Sequence, residues 1–144
     1  MPTPASIRSH PIHPMIVGFP ISLWIASFVA DLIFVLGWGG PMWKRMAFYL
    51  VGAGILGAVA AAVPGYIDYR TITVKRVGRI GQRHMIFNLV SLGLFALSLA
   101  LRFVDLLGIL PVVVSAAGVA VLAVAGWLGG ELVFVHGMGV EAAE

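Results

Sequence analysis

Cysteine is absent from all 144 residues. That removes disulfides, thiolate metal sites, iron–sulfur ligation and the covalent C-x-x-C-H haem attachment together. Any metal chemistry must therefore rest on nitrogen and oxygen ligands. Charge is almost as scarce, with 10% of residues Asp, Glu, Lys or Arg against 60% hydrophobic. No soluble domain of this length hides so much apolar surface. Also missing are a Ser/His/Asp order, a phosphate loop and a dinucleotide fingerprint, which leaves no case for hydrolase or nucleotide chemistry. The net charge of +3 is what membrane orientation produces, so nucleic acid is not an expected partner.

What is present is four apolar stretches: Met15 to Leu36, Met46 to Val63, Met85 to Leu101 and Leu110 to Val135. Each is near the ~20 residues that cross ~30 Å of hydrocarbon. They predict one all-α domain over residues 1–144. Its architecture is an integral membrane four-helix bundle in up-down-up-down order, with both termini on the same side. The first stretch outruns the apolar region of a secretory signal, lacks a basic start and ends in GWGGP without a small-x-small cleavage site. It is expected to stay in the mature protein.

With four spans, the termini and the segment between spans two and three share one face. That face carries Arg8, Arg70, Lys75, Arg76, Arg79 and Arg83, whereas the opposite face has Lys44 and Arg45, with Arg102 at its edge. The positive-inside rule then puts the first face in the cytoplasm. The segment Tyr66 to His84 mixes aromatic and β-branched residues with cations. It reads either as a strip in the headgroup layer or as an ordinary connector.

Polar residues fall in lines. In span three, His84, Asn88, Ser91, Phe95, Ser98 and Arg102 alternate steps of four and three, so one semi-polar face must turn toward other helices. In span four the line is Ser115, Gly118, Leu122, Ala125, Gly129, Leu132 and His136; in span two, Gly and Ala recur at Ala53, Gly57, Ala61 and Gly65. Small residues at these spacings let helices pack closely, within the chain or between copies in a homo-oligomer. In span one, His13 and Asp31 are five turns apart on one face, provided the helix runs back through Pro14 and past Pro20. Asp31 and Arg102 lie near the same face and are expected to pair, holding spans one and three in register. Trp24, Trp38, Trp43 and Trp127 read as interfacial anchors, although Trp127, one turn before Glu131, could also wall a site.

All four histidines, His10, His13, His84 and His136, are placed by this topology on the cytoplasmic face, with Asp68 and Glu131 beside them. On an ideal helix Glu131 and His136, five residues apart, diverge by roughly 140° and would not share one ion without a break between them. Two kinds of site compete. A b-type haem needs opposed imidazoles, a gap lined by small residues and cations for its propionates. His13 with His84 would supply the pair, and Arg76, Arg79 or Arg83 the cations. A non-haem iron, zinc, manganese or copper ion would instead use His10, His13, His84 and His136 with Asp68 or Glu131 directly. A third class is a structural membrane subunit without cofactor.

The segments HPIHPM…FPISLW…D (His10 to Asp31), PGYIDY (Pro64 to Tyr69), RHMIFN (Arg83 to Asn88) and GWLGGELVFVHGMGV (Gly126 to Val140) together resemble a bacterial membrane family. It is the one described as domain of unknown function 2231, and the resemblance covers nearly the whole chain. It implies a four-span inner-membrane module. Its recurrent polar positions match His10, His13, Asp31, Asp68, His84, Asn88, Glu131 and His136. Relatives fused to Rieske-type or cytochrome-type domains incline the expectation toward haem b and electron transfer, with a separate Rieske or cytochrome partner for this chain.

Overall fold

A computed structural model of the protein describes residues 3–140. The chain opens with a short hairpin, β1 (Ser6–Ile7) and β2 (His10–Pro11), followed by α1 (Ile12–Val35), α2 (Met42–Tyr69), α3 (Lys75–Val104) and α4 (Leu110–Gly130). One widened turn, Glu131–Val135, continues α4, with the His136 amide reaching back five residues to the Glu131 carbonyl at 3.2 Å. All four helices are long and apolar enough to cross a membrane.

The helices outrun the apolar stretches. α3 starts at Lys75 rather than Met85, and α2 ends at Tyr69 rather than Val63. Hydropathy marks the edge of the hydrocarbon, and a helix need not stop there. The 30 residues of α3 reach ~45 Å at 1.5 Å per residue, well beyond ~30 Å of hydrocarbon. The Tyr66 to His84 segment is therefore two helix ends and a tight turn, with the Ile72 amide bonded to the Tyr69 carbonyl at 3.1 Å.

α1 begins at Ile12 and runs unbroken past Pro20. Pro14 falls in the first turn, where its missing N–H leaves no bond unmade. The helix ends at Gly37, whose φ of +75° is the left-handed conformation that turns a chain out of a helix and that glycine adopts without strain.

Contacts set the arrangement. α1 packs along α2 and α3 along α4, each pair antiparallel: His13 near the start of α1 reaches Ala61 late in α2, and Ser98 late in α3 reaches Pro111 at the start of α4. α1 and α3 face each other across the bundle axis through side chains. At its centre Trp24 stacks on Phe95, ring centres 4.3 Å apart, within a core that includes Val51 and Leu122. The semi-polar face of α3 turns inward as its spacing requires, with Ser91, Phe95, Ser98 and Arg102 buried. Its hydroxyls bond to main-chain carbonyls of α4, Ser91 to Gly118 and Ser98 to Pro111.

Two sequence expectations are corrected. Trp24 is no interfacial anchor; it is 2% exposed and central, its indole N–H on the Val51 carbonyl at 3.3 Å. On α2 the buried small residues include Gly54 and Ala61, whereas Ala53 faces outward. A strict four-residue step drifts around a 3.6-residue helix, so that line could not stay on one face.

Candidate functional site

At one end of the bundle His13 of α1 and His84 of α3 meet edge to face, ring centres 6.3 Å apart and planes at 90°. Each ring is tied to the helix beside it. His13 Nδ1 lies 2.8 Å from the Ala61 carbonyl of α2, and His84 Nδ1 lies 2.8 Å from the Ala125 carbonyl of α4. A carbonyl can only accept, so Nδ1 carries a proton in both rings, and in the neutral imidazole Nε2 is then the nitrogen with the lone pair. This is how a metal-ligating histidine is held, its second nitrogen fixing the tautomer and the ring direction. Glycines make room for the rings: a Cβ at Gly65 would come within 2.7 Å of His13, and one at Gly129 within 2.9 Å of His84. Asn88 lies one turn past His84; its amide donates to the His84 carbonyl at 2.8 Å and lies 3.2 Å from His84 Nε2.

The remaining candidates lie around this pair without joining it. His10 sits exposed in β2, its Nδ1 2.8 Å from the Arg8 carbonyl. His10 lies in extended β2 and His13 in the first turn of α1, so the two share no helical face. Asp68 accepts the buried Ala5 amide at 2.9 Å and so fastens the N-terminal hairpin to the end of α2. Glu131 and His136 do approach, at 3.9 Å. The ideal-helix expectation of divergence fails because the widened turn brings residues five apart onto one side. Trp127 is 79% exposed and walls nothing. Arg76, Arg79, Ile80 and Arg83 line a shallow groove with Glu131 at the α3–α4 edge. Among the described residues no three His, Asp or Glu side chains are placed to hold one metal ion.

The other end is charged. Asp31 is fully buried and accepts both outer nitrogens of Arg102, at 3.0 and 2.5 Å, in the pairing expected from the sequence. Lys44 is a third, unforeseen member. It is also fully buried, 3.4 Å from Asp31, and donates to the Gly108 carbonyl at 2.9 Å. The six-residue connection from Leu36 to Pro41, which sets the first turn of α2 beside the last turns of α1, was the signal for it. The anchoring carbonyls of Ala61 and Ala125 were likewise missed, because a main-chain acceptor has no signature in side-chain spacing.

Neither the curated proteins nor the solved structures contain a match to this chain. A family described as a predicted membrane protein, DUF2231, matches residues 9–142. Four helices long and apolar enough to cross a membrane fit that description, and the chain belongs to this family.

Proposed function

We propose that this protein is a bacterial inner-membrane redox module that binds haem b between His13 and His84, near the cytoplasmic face, and passes electrons to a partner protein. The observation that carries the reading is the anchored pair: two imidazoles from diagonal helices, each with Nδ1 committed to a carbonyl. The two ring centres lie 6.3 Å apart, which brings imidazoles from two different helices to one place, as a shared metal centre would require.

The donor set also favours a macrocycle over a bare ion. A structural zinc takes four protein ligands and a catalytic one three; two histidines alone suit a metal that brings its own equatorial nitrogens. His13 and His84 would hold the haem iron, and Arg76, Arg79 or Arg83 would meet the propionates. Haem iron supplies reversible one-electron chemistry. The protein's own part is to hold both rings in one tautomer and one direction through the Ala61 and Ala125 carbonyls. When His84 Nε2 ligates, Asn88 keeps its bond to the His84 carbonyl.

The test is purification from haem-replete cells, with absorption spectroscopy and metal quantification. The expected result is one haem per chain and a Soret band that moves on reduction. A colourless, iron-free protein overturns the proposal. Stoichiometric zinc, copper or manganese without a haem spectrum overturns it too, and assigns the pair to a non-haem ion.

A further inference from the structure

The residues that meet across the bundle axis are separated in sequence by one constant. His13 and His84, Trp24 and Phe95, and Asp31 and Arg102 are each 71 residues apart (13 to 84, 24 to 95, 31 to 102). The buried Ser27 and Ser98 share that offset. The helices behind them repeat with an offset of 64 (54 to 118, 61 to 125, 65 to 129). The offsets differ by seven residues, about two turns, because 13 residues separate Asp31 from Lys44 but six separate Arg102 from Gly108, the position equivalent to Lys44. A difference of two turns lengthens the tip of one hairpin and leaves its faces in phase.

The contacts repeat as well as the spacing. His13 bonds to Ala61 and lies on Gly65; His84 bonds to Ala125 and lies on Gly129. Trp24 lies on Gly54 and Phe95 on Gly118, where an added Cβ would come within 2.4 and 2.9 Å of the rings. The two halves share few residues: between positions 44–69 and 108–133 the identities are Ala53/Ala117, Gly54/Gly118, Ala61/Ala125 and Gly65/Gly129. Three of those four are the seats just described. An unrelated pair of hairpins would have no reason to agree at the seats and differ elsewhere. Parallel repeats about an axis along the membrane normal are an established way to build a membrane protein with a site between the halves.

We infer that the bundle is one helical hairpin used twice about a two-fold axis, and that Gly65 and Gly129 are equivalent positioning residues, each seating one imidazole of the His13–His84 pair. What the pair is for rests on the haem reading; how it is seated does not.

The experiment uses the full-length protein with ¹⁵N-labelled histidine in detergent micelles, reading the Nδ1–H resonances of the two anchored rings by NMR. Assignment comes from His13→Gln and His84→Gln. Gly65→Ala is expected to move the His13 resonance by more than a linewidth and leave His84 in place, and Gly129→Ala the reverse. Gly126→Ala, where an added Cβ meets nothing within 4 Å, moves neither. Should either seat variant fail to fold, the same equivalence is read at Gly54→Ala and Gly118→Ala through the Trp24 indole N–H, which both must move. The inference is overturned if one member of a pair acts and the other is silent, or if Gly126→Ala acts like the seats. A colourless preparation still gives these signals, so failure of the haem reading and failure of this one are distinguishable.

Discussion

The two ends of the bundle solve the problem of polar groups in lipid in opposite ways. At the charged end, Asp31 and Arg102 reach across the axis and bond to each other, with Lys44 against the same carboxylate. At the histidine end, the equivalent residues do not bond to each other at all. Each ring is tied outward, to the carbonyl of its own hairpin partner. The first arrangement turns its charges on one another and so closes the bundle. The second leaves an Nε2 on each ring for something else. Polar groups placed alike in the repeat are thus tied differently, across the axis at one end and within each hairpin at the other.

The largest expected effect comes from breaking the clasp. Asp31→Ala leaves Lys44 and Arg102 buried with no counter-charge, and removing one partner of a buried pair costs about 3–5 kcal/mol. Thermal unfolding in detergent should show the midpoint falling steeply. An unchanged midpoint would mean that the charged end does not hold the halves together. Next is the site. His13→Ala removes the bond to the Ala61 carbonyl, and His84→Ala the bond to the Ala125 carbonyl and the Asn88 contact, at about 1 kcal/mol per bond, so stability should fall modestly and, if the proposed haem is bound, its spectrum should be lost. If either variant keeps a normal spectrum, that ring is not a ligand.

Lys44 sharpens the comparison from the other side. It brings a second cation to a single carboxylate, so Lys44→Met leaves a one-to-one pair. Lost are its bond to the Gly108 carbonyl and its position over the Phe34 ring at 5.4 Å; gained is the relief of an excess buried charge. The midpoint should move little, by the equivalent of about 1 kcal/mol or less in either direction. A collapse as deep as that of Asp31→Ala would make Lys44 an equal member of the clasp.

How much of this was legible depends on which interactions leave a trace in side-chain order. The Asp31–Arg102 pair was readable because both residues sit near one face on inward stripes of apolar helices, where a lone charge has few tolerable alternatives. The inward face of α3 was readable from steps of three and four. His10 and His13 looked like one chelate because they are three apart, but a turn with positive φ at Arg8 and Ser9 belongs to a strand hairpin, in which three residues carry no helical phase. Glu131 and His136 approach because the helix breaks its ideal geometry between them in a widened turn, which residue spacing alone does not reveal. The repeat was written in the sequence throughout, as a histidine followed at 11, 14 and 18 residues by an aromatic, a serine and a charge in both halves. It needed comparison of spacings between spans rather than within them.

The smallest expected effect falls on the histidine that the sequence made most prominent. His10 opens the His-Pro-Ile-His-Pro run, yet its ring is exposed and its Nδ1 bond closes only a local turn, to Arg8 two residues back. A bond of that kind is easily replaced by water, and substitutions away from packed or paired groups change stability by no more than about 0.5 kcal/mol. His10→Ala should therefore leave the unfolding midpoint as it is and, if the proposed haem is bound, its spectrum too, while His13→Ala, three residues on, should remove that pigment. The contrast tests the comparison at its finest grain, because the two histidines share a sequence neighbourhood and differ only in whether the ring is seated against a second helix. Loss of pigment in the His10→Ala protein would bring His10 into the site and restore a chelate of several histidines in place of the axial pair.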